Sequence, residues 1–175
     1  MRDQVIRIQD AIDGASLVHT DVPPGTPLLA DTRTVQIVLL GPTPTNPDPP
    51  GYAFGDEVSP GYVYLISDHM AGAIQSPQTT SDQRKLAVQI NSHLDEEKGL
   101  FEQVQHDAKQ VLRMSDTQIL GAQTLTLLDD LATQAQNAYS GQLDPSTGQS
   151  AGGALWVYGN LQRLAAFDVR QYTGQ

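Results

Sequence analysis

The residues best suited to chemistry lie in one stretch, Asn91–Met114, which reads NSHLDEEKGLFEQVQHDAKQVLRM. It contains two of the four histidines of the chain, together with five carboxylates at positions 95, 96, 97, 102 and 107. Histidine and carboxylate side chains on one helix can bind a metal ion or form an acid–base pair. Helical phasing decides which of these residues can act together.

Phasing at the α-helical period separates the stretch into two pairs. His93 and Glu97 are four residues apart and lie within, or at the edge of, the apolar face of the predicted helix. Glu102 and His106 share the same spacing but lie on the opposite, solvated side. On a straight helix the two histidines stand about 20 Å apart, so they cannot share an ion unless Gly99 interrupts the helix.

His93 and Glu97 are therefore the candidate metal ligands. A bound metal would need further ligands from a neighbouring helix, where Asp129 and Asp130 are the available carboxylates. The Glu-x-x-His motif of di-iron helical bundles does not occur. We interpret the pair as a hydrogen bond that satisfies a carboxylate at the edge of the core, and we predict no metal and no cofactor.

Other catalytic arrangements are incomplete. The tripeptide SDH at Ser67–His69 places three triad residue types side by side, where they cannot converge in space. The chain has no cysteine, no Gly-x-Ser-x-Gly elbow and no phosphate-binding glycine motif. We interpret DPSTGQSAGG, residues 144–153, as a turn rather than a ligand loop. The sequence therefore predicts no catalytic residues and a protein that is not an enzyme.

The sequence predicts a mainly α-helical chain, whose helices hold these residues in place. The N-terminal segment fits a helix ending near Gly14 or a strand, and residues 61–76 fit a short helix. Two capping boxes, Thr80 with Gln83 and Ser115 with Gln118, predict helices to about Met114 and to Gly141. A last helix is expected over residues 154–169. Residues 61–175 are thus predicted to form an antiparallel three- to four-helix bundle.

The bundle is preceded by an N-terminal arm, residues 1–41, and by a proline-rich strap, residues 42–60. In the arm, TVQIVLL (Thr34–Leu40) alternates apolar side chains and predicts an extended, strand-like segment. Six prolines at positions 42, 44, 47, 49, 50 and 60 predict an extended connection. We expect the three parts to form one compact unit.

The amino-acid composition limits the classes of partner that the chain can bind and indicates its cellular location. A net charge of −10 without a basic run argues against nucleic acid and against an anionic membrane surface. No run of eighteen apolar residues occurs, so we predict that this segment does not insert into a membrane. Only 17% of the residues are charged, which is typical of secreted, cell-surface or virion proteins, and we predict an extracytoplasmic location. The opening MRDQVIRIQD has no apolar stretch, so an export signal would lie outside this segment.

Aromatic residues near the C-terminus are the best lead to a partner. On the last predicted helix, Trp156 and Phe167 form a second apolar stripe beside that of Val157 and Leu161, and Tyr139 ends the preceding helix. The second stripe is either core or a surface for a partner. We hypothesise an interaction or structural module with a protein partner or self-association. The alternatives are a ligand-binding or sensory bundle with a pocket among Tyr139, Trp156 and the His93–Glu97 pair, and a metal-dependent enzyme.

Overall fold

The fold is given by a computed structural model that describes residues 1–14, 25, 38–41, 61–143, 145, 146, 148 and 150–165. Helices account for 79% of these residues, so the predicted mainly α-helical class is confirmed. The helices are α1 (Arg2–Asp13), α2 (Tyr62–Gln75), α3 (Ser81–Arg113), α4 (Asp116–Ile119), α5 (Ala122–Ser140) and α6 (Gly153–Ala165). Strands β1 (Gln142–Leu143) and β2 (Ser150–Ala151) form a two-residue antiparallel ladder between α5 and α6.

Helix α3, 33 residues long, contacts α1, α2, α5 and α6. It begins at the predicted capping box, in which the Gln83 amide donates to the Thr80 hydroxyl and the Thr80 amide donates to the Gln83 side-chain oxygen. It passes through Gly99 without a break, so the two histidines stay far apart. Its buried apolar residues are Ala87, Ile90, Leu94, Val104, Ala108, Val111 and Leu112.

The N-terminal segment forms a helix, α1, which ends at Asp13 before Gly14, as the helical interpretation predicts. A short segment, residues 38–41, joins it to α2. The Leu40 amide donates to the Ile12 carbonyl over 3.0 Å, and the Tyr62 amide donates to the Val38 carbonyl over 2.8 Å. These bonds satisfy backbone groups that helix ends leave without partners.

Two of the predicted N-terminal features lie wholly or partly outside the described residues. Of the extended segment Thr34–Leu40, only residues 38–40 are described, and they lie at a bend rather than in a strand ladder. The proline-rich strap, residues 42–60, is outside the described part of the chain.

The single helix predicted from Ser115 to Gly141 is wrong, because the chain forms two helices there. The capping box of Ser115 and Gln118 is present, but α4 has only four residues, and α5 begins after Gly121. The buried Thr124 hydroxyl donates to the Gln118 carbonyl over 2.9 Å. The same carbonyl accepts the Gly121 amide over 2.9 Å, three residues on instead of the four of an α-helix, so the hydroxyl adds a second bond at the break.

The chain reverses from α5 into α6 through a close backbone crossing of two glycines. Gly141 and Gly153 have φ values of 82° and 77°, a region that L side chains rarely adopt. A Cβ atom on Gly153 would stand 2.1 Å from the Gly141 amide nitrogen. The reversal therefore requires glycine at this position.

We expect Gly153→Ala to lower the free energy of unfolding by at least about 1–2 kcal/mol, because the left-handed φ alone costs that much. The matched control is Gly99→Ala on the exposed side of α3, where a Cβ meets nothing within 4 Å. That change should raise the free energy of unfolding by about 0.5–1 kcal/mol. Urea denaturation followed by circular dichroism measures both, and a Gly153→Ala protein as stable as the wild type would contradict the crossing.

Candidate functional site

Glu97 occupies a core position on α3. Ile90 and Val104, each seven residues away and within about 20° of the same direction on the helix, are 0% and 3% exposed. Glu97 itself is 4% exposed, and its Oε1 atom has no hydrogen-bond partner within the described part of the chain. A carboxyl group thus stands in an apolar stripe where a leucine would be expected.

Burial changes the acidity of this carboxyl group. Desolvation, and then the neighbouring charge of Glu96, raise the pKa of Glu97 from 4.5 to about 7. An unpaired carboxylate in the core is costly, so the protonated form is favoured over most of the acidic range. Asp107 on the same helix is equally buried, but its Oδ1 accepts a hydrogen bond from Gln103 over 3.0 Å. Glu97 therefore differs from Asp107 in that its buried Oε1 atom has no hydrogen-bond donor among the described residues.

The predicted hydrogen bond between His93 and Glu97 is replaced by another one. His93 Nδ1 lies 2.9 Å from Glu96 Oε2, three residues on, and no hydrogen bond joins His93 to Glu97 among the described residues. Spacings of three and four both bring helical side chains together. The exposed Glu96 reaches the ring at the surface, whereas the carboxyl group of Glu97 is enclosed in the core.

The His93 ring also contacts the start of α6. Its centroid lies 4.3 Å from that of Trp156, with the two planes at 62° in an edge-to-face arrangement. A Cβ atom on Gly152 would stand 3.0 Å from His93 Nδ1, so the reversal lies directly against the ring. The candidate site is thus formed by His93, Glu96 and Glu97 of α3 with Gly152 and Trp156.

The structure places the three candidate interaction residues differently. Trp156 is partly buried and packs against the hydrophobic core of its own chain. Tyr139 is 57% exposed near the end of α5. Phe167 lies outside the described residues, so its place in a second apolar stripe stays a prediction.

The residues considered for metal binding are not brought together. Across the described residues, no three His, Cys, Asp or Glu side chains form a group that could hold a metal ion. Asp129 and Asp130 are exposed on α5. Glu102 and His106 are exposed, as phasing predicts, and Glu102 forms an ion pair with Lys98 over 3.7 Å.

Sequence reasoning missed two members of the site. Glu96 was recoverable, because its spacing of three residues from His93 is as favourable as that of Glu97. Gly152 had no local signal toward His93, since the contact depends on how the reversal packs against α3.

Within the described residues, no helix combines the length and the apolar character needed to cross a lipid bilayer. Comparison of the chain with protein-family models, with curated protein sequences and with solved structures gives no match.

We expect the stability of the protein to fall as the pH rises toward neutrality. The pKa of Glu97 in the folded state, about 7, exceeds the ordinary value of 4.5, so the folded state holds the proton more tightly than the unfolded chain. The contribution is complete below the ordinary pKa and is lost as the pH rises through the folded-state pKa. The shift corresponds to at most about 3 kcal/mol in the free energy of unfolding, and urea denaturation at a series of pH values across this range tests it.

Glu97→Gln should remove most of that slope, because the amide cannot ionise. Glu102→Gln is the matched control, since Glu102 is exposed on the same helix, and it should leave the slope unchanged. A Glu97→Gln protein whose stability still falls as steeply as that of the wild type would show that another group is responsible.

Proposed function

We propose that this protein is a non-enzymatic interaction or structural module that acts through a protein partner or through self-association. The observation that carries the proposal is a set of exposed apolar side chains around the crossing of Gly141 and Gly153. We call this set the reversal surface, and its members are Tyr139, Leu143, Leu155 and Tyr158, which are 57%, 68%, 50% and 62% exposed. Grouped exposed apolar side chains are typical of protein interaction sites.

The charge pattern supports the same proposal. From Tyr139 to Tyr158 the chain has a single charged residue, Asp144. Depletion of charge together with enrichment in tyrosine and tryptophan is the compositional mark of an interface centre. We infer that a partner is recognised there through apolar and hydrogen-bonding contacts rather than through charge.

The antiparallel three- to four-helix bundle over residues 61–175 is part of this proposal, with the arm and the strap packed on it as one unit. Support comes from both ends of α5. Its Thr124 hydroxyl lies 3.2 Å from the sulfur of Met114 at the end of α3, and Gly152, beyond its other end, lies against His93. Those contacts favour α5 running back along α3. The contact between α1 and α3 favours a single unit.

An extracytoplasmic location completes the proposal. Its support is the composition, with 17% charged residues and a polar surface supplied largely by neutral side chains. The location is tested by fractionating the source cells and detecting the protein with an antibody. Recovery in the cytoplasmic fraction alone would contradict it.

A ligand-binding or sensory bundle is the second candidate function, and the unpartnered oxygen of Glu97 beside His93 and Trp156 favours it. Thermal-shift screening with divalent metals and small polar molecules tests it, and stabilisation that Glu97→Gln abolishes would support it. A metal-dependent enzyme is the third candidate, and it requires metal in the purified protein by elemental analysis.

We expect the wild-type chain to associate in a concentration-dependent manner in sedimentation velocity experiments. Replacing Leu143 and Tyr158 together by serine should weaken association by at least about tenfold, because buried apolar anchors dominate interface energies. Leu120→Ser is the matched control, since Leu120 is 88% exposed at the turn between α4 and α5. The proposal would be contradicted by two results together. The wild-type chain would be monomeric at all concentrations, and the double variant would retain partners as well as the wild type does.

A further inference from the structure

We propose that Glu97 is a pH switch that controls the packing of α6 against α3. A proton on its carboxyl group allows α6 to pack, and loss of that proton loosens α6 while the rest of the helices stay in place. This inference concerns regulation and is independent of the partner-binding role of the reversal surface.

Glu97 lies beside the contact between α3 and α6. It lies one helical turn from His93 on the same face of α3, and the His93 ring contacts Trp156 of α6 and Gly152 before it. The 4% exposure of Glu97 means that packed helices exclude water from its carboxyl group. Ionisation therefore creates a charge that the packing of the chain keeps from water, and movement of the neighbouring α6 would expose it.

No charged group in the described structure compensates that charge. On α3 itself, Glu96 raises the pKa of Glu97, and His93 is engaged with Glu96. On α2, Tyr64 is engaged with Lys98 of α3, whose ammonium lies 5.1 Å from the ring centroid. The helices that pack against α3 carry further titratable groups. These are Asp129, Asp130 and Tyr139 of α5, Tyr158 and Arg163 of α6, Tyr62, Asp68 and His69 of α2, and Arg2, Asp3, Arg7, Asp10 and Asp13 of α1.

None of those groups contributes to the raised pKa of Glu97. All of the α5 and α6 members are exposed, as are the three on α2. On α1, Asp13 accepts a hydrogen bond from Gln105, which is two turns of α3 beyond Glu97. Burial and Glu96 remain the causes of the raised pKa.

Helix α6 is the element that can yield. Helices α1 and α2 are tied to α3 by side-chain hydrogen bonds, such as Gln9 to the Gln105 carbonyl over 3.1 Å and Ser67 to Asn91 over 2.6 Å. Among the described residues, no hydrogen bond joins α6 to α3, and the side-chain bonds of Asn160 stay within α6. Val157 is the one large apolar side chain of α6 that is fully buried, and Trp156, Leu161 and Leu164 pack against the core while partly exposed. Elements with few buried contacts open at low free-energy cost.

Trp156, the only tryptophan of the chain, reports directly on this packing. In the full chain, its fluorescence emission should shift to longer wavelength as the pH rises through about 7, while far-ultraviolet circular dichroism stays constant. Glu97→Gln should keep the short-wavelength emission at every pH. His93→Gln should retain the transition, which separates the switch from histidine titration.

Two results would overturn the proposal: an unchanged transition in Glu97→Gln, or loss of the transition in His93→Gln. If circular dichroism shows that Glu97→Gln does not fold, acrylamide quenching of Trp156 in the wild-type chain tests the proposal instead. Quenching should increase by at least about twofold from acidic to alkaline pH if α6 opens. Quenching that is constant across the same range overturns the switch.

Discussion

The packing of a carboxyl group inside an apolar stripe is the constraint on which the candidate site depends. Helix α3 contacts α1, α2, α5 and α6, and Glu97 interrupts its buried apolar stripe between Ile90 and Val104. With its proton, the side chain is a polar but neutral part of the core. Without it, the same side chain is an uncompensated charge. Stability, local opening of α6 and the environment of Trp156 are therefore linked to one ionisation.

The backbone around this constraint is held by satisfied helix ends. Residues 38–41 bond to the end of α1 and to the beginning of α2, and Arg84 donates to the carbonyls of Ile74 and Ser76 at the end of α2. At the other end of the site, the glycine crossing brings Gly152 onto His93. Hydrogen bonds thus hold α1 and α2 in place, whereas α6 depends on side-chain packing against α3. That asymmetry makes α6 the element on which ionisation of Glu97 acts.

Features set by local chemistry could be predicted from the sequence, and features set by packing could not. The Thr80–Gln83 box located the start of α3, because both of its hydrogen bonds form within four residues. Phasing also placed Glu102 and His106 in solvent. The choice of Glu96 over Glu97 as the partner of His93 depends instead on tertiary packing, which buries the carboxyl group of Glu97 and leaves that of Glu96 at the surface. The break before α5 coincides with a hydrogen bond from the buried hydroxyl of Thr124 to the Gln118 carbonyl, a contact that depends on packing.

The account rests on Glu97 being protonated at acidic pH inside the folded protein. Carbon-detected NMR of the glutamate side-chain carboxyl groups, recorded as a function of pH on the intact chain and assigned with Glu97→Gln, measures this directly. The account predicts a Glu97 titration with a midpoint at about 7, well separated from the exposed glutamates. A midpoint near 4.5, the ordinary value for glutamate, would contradict it.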